Sequence, residues 1–207
     1  MSEPGTDTDA TAGKGRLEAF SDGVIAILIT IMVLELKVPD ALAHGFDRAA
    51  LAEFGPKFGA YGLSFLVLAI MWVNHHAMTR DLKRLAPGFT WLNMILLFAM
   101  SMIPLVTEFY GAHPNSTNAA AAYGAVLATT AWSYVGMRAW LQRHETDPAK
   151  RSAHRGIQLK NLLGASLYTL SIALAFINPH APLAIFLLVP AMFFTPNMLL
   201  PKALRSS

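Results

Sequence analysis

An arginine, a serine and an aspartate open a long apolar segment near the start of the chain. It begins Arg16-Leu17-Glu18-Ala19-Phe20-Ser21-Asp22-Gly23 and runs on to Leu36. An acid in a membrane span costs about 2.5–3.5 kcal/mol at the bilayer centre, less near the interface, and normally faces protein or water. Arg16 and Asp22 stand about 120° apart on an ideal helix, outside the spacing of intrahelical pairs. Asp22 therefore takes a partner from another element, or else caps the helix at the membrane surface. Ile27, Thr30 and Leu34 follow at helical spacings of three and four, on one stripe, with Asp22 about 140° away from Ile27. One hydroxyl between two branched apolar residues suits a narrow ion path. Apolar rings oppose water, and a ring of threonine oxygens replaces part of a cation's hydration shell. The competing reading is packing, with Thr30 hydrogen-bonded back to its own helix.

A second polar cluster, Met71-Trp72-Val73-Asn74-His75-His76, closes the next apolar segment. Asn74 or either histidine has the chemistry to hold Asp22 by hydrogen bonds. A metal site fits poorly, because adjacent histidines point about 100° apart on a helix whereas paired zinc ligands sit four residues apart, as in H-E-x-x-H. The chain has no cysteine, which excludes thiolate ligands and a cysteine nucleophile. No nucleophile with a base, no glycine-rich phosphate loop and no carboxylate pair at catalytic spacing occurs in the apolar segments. These residues argue against an enzyme and call for no resident cofactor or metal.

The elements that must position these residues are transmembrane helices. With 54% hydrophobic and 14% charged residues, the chain concentrates its apolar residues into blocks near the roughly 20 residues needed to span a bilayer. Six blocks are expected: 17–38, 58–78, 89–110, 119–141, 159–177 and 182–200. Pro39, Pro56, Pro87, Pro114, Pro148 and the Asn178-to-Pro182 turn stand as helix stops between them. Residues 1–15 lack an apolar run and are expected to be a flexible cytoplasmic tail rather than a signal peptide, with 16–201 the helical domain and 202–207 a second cytoplasmic tail.

Thirteen of the 16 Lys and Arg residues fall in one set of segments, from Lys14 and Arg16 through Arg80–Arg84 and Arg138–Lys160 to Lys202 and Arg205. Only Lys37, Arg48 and Lys57 fall in the other. Basic residues concentrate in cytoplasmic loops, so both termini are expected inside, in a cell membrane. The net charge of +3 is then a consequence of topology and calls for no nucleic acid. The first-helix segment has no second copy in the chain. A pore built from it requires several subunits.

The pattern R-x-x-x-F-S-D at Arg16, Phe20, Ser21 and Asp22, with W-x-N-H-H at Trp72 to His76, resembles the transmembrane protein 175 family over residues 14 to about 200. The resemblance implies a potassium-selective channel and, with one motif copy, a prokaryotic single-repeat homotetramer whose first helices line a central pore. It implies an apolar constriction at Ile27, a threonine layer at Thr30 and a further apolar ring at Leu34. Arg16, Phe20, Ser21, Asp22, Trp72, Asn74, His75 and His76 fall on the network that secures the pore helix. Potassium is then the permeant ion, and the lipid bilayer and three further copies of the chain are the partners. The alternative is a proton- or cation-coupled transporter using Asp22; such proteins place ionisable groups near the midplane beside broken helices, unlike the helix-end acids here.

Overall fold

The computed structural model describes residues 5–80, 82, 85–145 and 148–194. These form helices throughout: α1 (Gly5–Ile31), continued by a 3-10 turn (Met32–Glu35), α2 (Asp40–Ala43), α3 (Arg48–Arg80), α4 (Pro87–Ser101), α5 (Ile103–Ala112), α6 (Thr117–His144), α7 (Pro148–Ile177) and α8 (Ala181–Phe194). No strand occurs among the described residues. The expected C-terminal tail and the end of the sixth block lie outside them.

Four helical segments are long and apolar enough to cross a membrane: Ala12–Glu35, Arg48–Arg80, Pro87–Ala112 and Gly156–Ile177. Six were expected. α6 is 28 residues, about 42 Å at 1.5 Å per residue, so its length suffices. Its alanines, threonines, glycines and Arg138 dilute the hydropathy below that of a bilayer span. α8 is strongly apolar but has only 14 described residues.

Helix boundaries depart from the sequence expectation in several places. Residues 5–15, given above to a tail, continue α1, since no proline follows Pro4 until Pro39 to stop the helix. At its other end α1 tightens into the 3-10 turn, so Leu34 stands just past the α-helix proper. Pro56, expected as a stop, lies inside α3. Its ring leaves the Ala52 carbonyl without the usual amide, and Ala52 is exposed, where solvent can supply the bond.

The third block is broken at Met102. Pro104 has no N–H to give the carbonyl four residues back, and Met102 N–H turns to Ala99 O at 3.3 Å.

The core draws on all the long helices, from Ile25 of α1 and Phe89 of α4 to Phe186 of α8, and its centre lies between α3, α5, α6, α7 and α8. Tyr123 stacks on Tyr110 at 5.2 Å between centroids and meets the Phe186 ring edge-on at 4.9 Å. Its hydroxyl reaches Ser64 Oγ at 2.7 Å, and Ser64 reaches Thr107 Oγ1 at 2.7 Å. Thr107 donates to Ile103 O at 2.7 Å, so the donors run one way from Tyr123 through Ser64 to Thr107. Each of these three buried hydroxyls thereby has a partner, as an apolar surrounding demands. Close helix approach also depends on Gly124, where an added Cβ would lie 2.5 Å from Ser171 Oγ.

Candidate functional site

α1 divides into two faces. Leu17, Ser21, Ile25, Leu28 and Met32 recur at spacings of three and four and are all buried, against α3 and α4. Such a stripe is what seats a helix on its neighbours. The other face carries Phe20, Gly23, Ile27, Thr30 and Leu34, again at spacings of three and four, and is exposed on the subunit. Ile27 is 61% and Leu34 73% exposed. An apolar face left open on one subunit is unusual unless lipid or another subunit meets it.

The Thr30 hydroxyl lies 3.0 Å from both Ala26 O and Ile27 O, the backbone bond expected from a packing role. A hydroxyl has one hydrogen and two lone pairs, so the donation leaves oxygen acceptors free on the exposed side. Back-bonding and ion contact are therefore compatible at this residue.

The buried face is fastened by a polar chain across three helices. His75, on α3 and 1% exposed, lies 2.7 Å from Asn93 Oδ1 on α4. The Asn93 amide donates to Ser21 Oγ on α1 at 2.9 Å, and Ser21 donates to Leu17 O at 2.8 Å. Because Asn93 Oδ1 only accepts, the His75 ring carries its hydrogen on Nε2 here. Every link joins one donor to one acceptor, the condition under which a buried polar chain stabilises. Three residues before His75, Trp72 Nε1 donates to Asp22 Oδ1 at 2.9 Å, and the Trp72 ring stacks on exposed His76 with centroids 6.1 Å apart. Lys14 Nζ donates to Arg80 O at 3.0 Å, so the start of α1 and the end of α3 share one basic end of the bundle.

Several expectations change here. Asp22 is held by Trp72, and among the described residues neither Asn74 nor a histidine hydrogen-bonds to it. The Asn74 amide turns back to Ile70 O at 2.9 Å, while its backbone carbonyl accepts from Tyr134 OH at 2.9 Å. Of the two histidines, His75 joins the anchor through Asn93 and Ser21. Arg16 and Phe20 are exposed and join no part of the anchor among the described residues. Asn93 was missed altogether. Its signal was legible, since a lone amide in an apolar span normally faces protein rather than lipid.

Fold and site together define a helical membrane protein whose first span is fastened on one face and free on the other. Residues 16–104 match the family model described as endosomal/lysosomal potassium channel TMEM175. A potassium channel of a Chryseobacterium species (strain P1-3) is 37% identical over 194 residues, covering 94% of this chain and 99% of that protein. The chain belongs to the TMEM175 family, a family of ion channels and not of enzymes. The crystal structure of a lysosomal potassium-selective channel TMEM175 homolog from Chamaesiphon minutus superposes with a TM-score of 0.77 at 29% identity, covering 88% of this chain and 96% of that one. The endosomal/lysosomal proton channel TMEM175 of Bos taurus is 36% identical over 110 residues, 49% of this chain and 23% of that protein.

Proposed function

We propose that four copies of the chain surround a central axis and pass potassium ions passively between their first helices. The observation that carries this reading is the exposed stripe of Ile27, Thr30 and Leu34 opposite a face that is wholly buried. Each chain supplies one such stripe, and closing it against copies of itself removes apolar surface that would otherwise stay open. α6 and α8 complete six spans per subunit. The basic end, with both termini, faces the cytoplasm of a cell membrane, in keeping with the charge bias of the loops.

In this arrangement Ile27 and Leu34 form apolar constrictions that set the pore width and close it by dewetting. Thr30 offers a ring of oxygens between them. Potassium holds its water less tightly than sodium, so a short ring that replaces part of the hydration shell favours it. The names of the bacterial relatives support potassium as the permeant ion. The anchor of Ser21, Asn93 and His75, with Asp22 on Trp72, keeps the helix from rotating its stripe off the axis. Arg16 is exposed and has no ion pair among the described residues, and in this reading it pairs with a neighbouring copy.

Bi-ionic reversal potentials test the selectivity. Thr30→Val keeps the branched shape and deletes the oxygen, so the potassium-to-sodium permeability ratio should fall while tetramers still form. An unaltered ratio would return Thr30 to a packing role.

A further inference from the structure

The two ends of the subunit carry opposite charge. In the topology proposed above, the segments of the outer end hold five acids against the three basic residues Lys37, Arg48 and Lys57, an excess of two negative charges per chain. The segments of the other end hold the remaining thirteen basic residues against eight acids. A cation is drawn to the first end and repelled from the second.

Part of the outer excess borders the stripe of α1. A cavity of about 140 Å³ lies between the 3-10 turn that ends α1, α3 and α5, with room for several waters, since one water needs at least about 10–15 Å³. Glu35, Lys37, Lys57, Glu108 and the Thr107 side chain give it a polar wall. Lys57 is already paired with Glu53, at 2.9 Å. Glu35 and Glu108 have no ion pair among the described residues, which leaves two carboxylates against Lys37 on that wall. Glu35 is exposed, closes the 3-10 turn and directly follows Leu34 of the stripe, so it stands beside the proposed ion path. Charges at a water-filled opening with low-dielectric walls focus their field into it.

We propose, resting on the pore reading above, that four Glu35 carboxylates, one per chain, ring the outer mouth and concentrate potassium there. At low ionic strength potassium then enters from this end more readily than it leaves.

Single-channel currents are recorded for wild type, Glu35→Gln and Glu35→Cys in symmetrical potassium chloride at about 10 mM and at about 1 M, where the screening lengths are about 30 Å and about 3 Å. Four unit charges about 15 Å from the axis raise potassium about threefold at the lower salt, so current entering at the Glu35 end should fall about threefold in Glu35→Gln. At the higher salt the two proteins should conduct alike. In Glu35→Cys an anionic methanethiosulfonate reagent should restore the low-salt entry current and a cationic one should lower it further, and the side from which they react identifies the Glu35 end. Equal low-salt currents in conducting wild type and Glu35→Gln, or a change of the same sign with both reagents, would overturn the proposal alone. A wild type that passes no potassium current would instead overturn the pore reading, and this inference with it.

Discussion

The two faces of α1 are built from similar apolar residues and meet different fates. Ile25, Leu28 and Met32 are buried, whereas Ile27, Ile31 and Leu34, one to three positions away, are exposed. Hydrophobicity alone cannot tell the faces apart, because both are apolar. Polar residues decide the rotation: Ser21 reaches the Asn93 amide and Asp22 reaches the Trp72 indole, and only one setting of the helix satisfies both. In a span where lipid and protein are equally oily, hydrogen bonds between helices carry the specificity that the hydrophobic effect supplies in water.

The comparison breaks most severely at Asn93. Asn93→Leu leaves His75 Nε2–H without its acceptor and Ser21 without its donor, and should cost about 2–4 kcal/mol, seen as a lower melting temperature in detergent. Potassium current should fall with it, since α1 is then free to turn. A current and a melting temperature equal to wild type would deprive the chain of His75, Asn93 and Ser21 of any anchoring role.

Trp72→Phe is a milder cut. Removing the indole N–H takes one donor from Asp22, and because Trp72 is 42% exposed water replaces part of the bond, so about 1–2 kcal/mol is expected from thermal melts. Asp22→Asn keeps an acceptor for Trp72 and should cost less than Asp22→Ala; the reverse order would show that charge, not the hydrogen bond, is what matters at this position.

On the exposed face the signs separate. Ile27→Ala removes a side chain that one subunit does not bury, so subunit stability should move by no more than about 0.5 kcal/mol. If Ile27 forms the proposed apolar constriction, current or leak should rise, because that ring is widened. A large loss of stability in an unassembled subunit would mean that Ile27 is packed in a way its exposure does not reveal.

Much of this was legible in the residue pattern. Apolar blocks near bilayer length located α1, α3, the α4–α5 pair and α7, and the stripe of Ile27, Thr30 and Leu34 could be read from spacing. Pro39, Pro87 and the turn at Asn178 stand where helices stop, for want of an amide hydrogen or because the Asn178 side chain caps His180 N–H at 2.9 Å. Pro56 misled because an exposed carbonyl tolerates the lost bond, which composition does not reveal. α6 reads weakly because alanines and glycines that let it lie close to α7 also lower its hydropathy. Partner choice was the least legible of all. Asn74, His75, His76 and Trp72 share one helical segment, and which of them meets Asp22 depends on how α3 rotates against α1, a tertiary fact that spacing within one helix cannot encode. Asn93 completes the anchor from a third helix, beyond the reach of either motif.

The central claim is that the exposed stripe of α1, and not its buried face, lines the ion path. The chain has no cysteine, so single cysteines can be placed without a background. Potassium current through reconstituted Ile27→Cys and Leu28→Cys proteins, recorded before and after a cationic methanethiosulfonate reagent, tests the claim directly. Current through Ile27→Cys should drop on modification, and current through Leu28→Cys should not change. The opposite pattern, or equal insensitivity of both proteins while they conduct, would place the pathway elsewhere in the molecule.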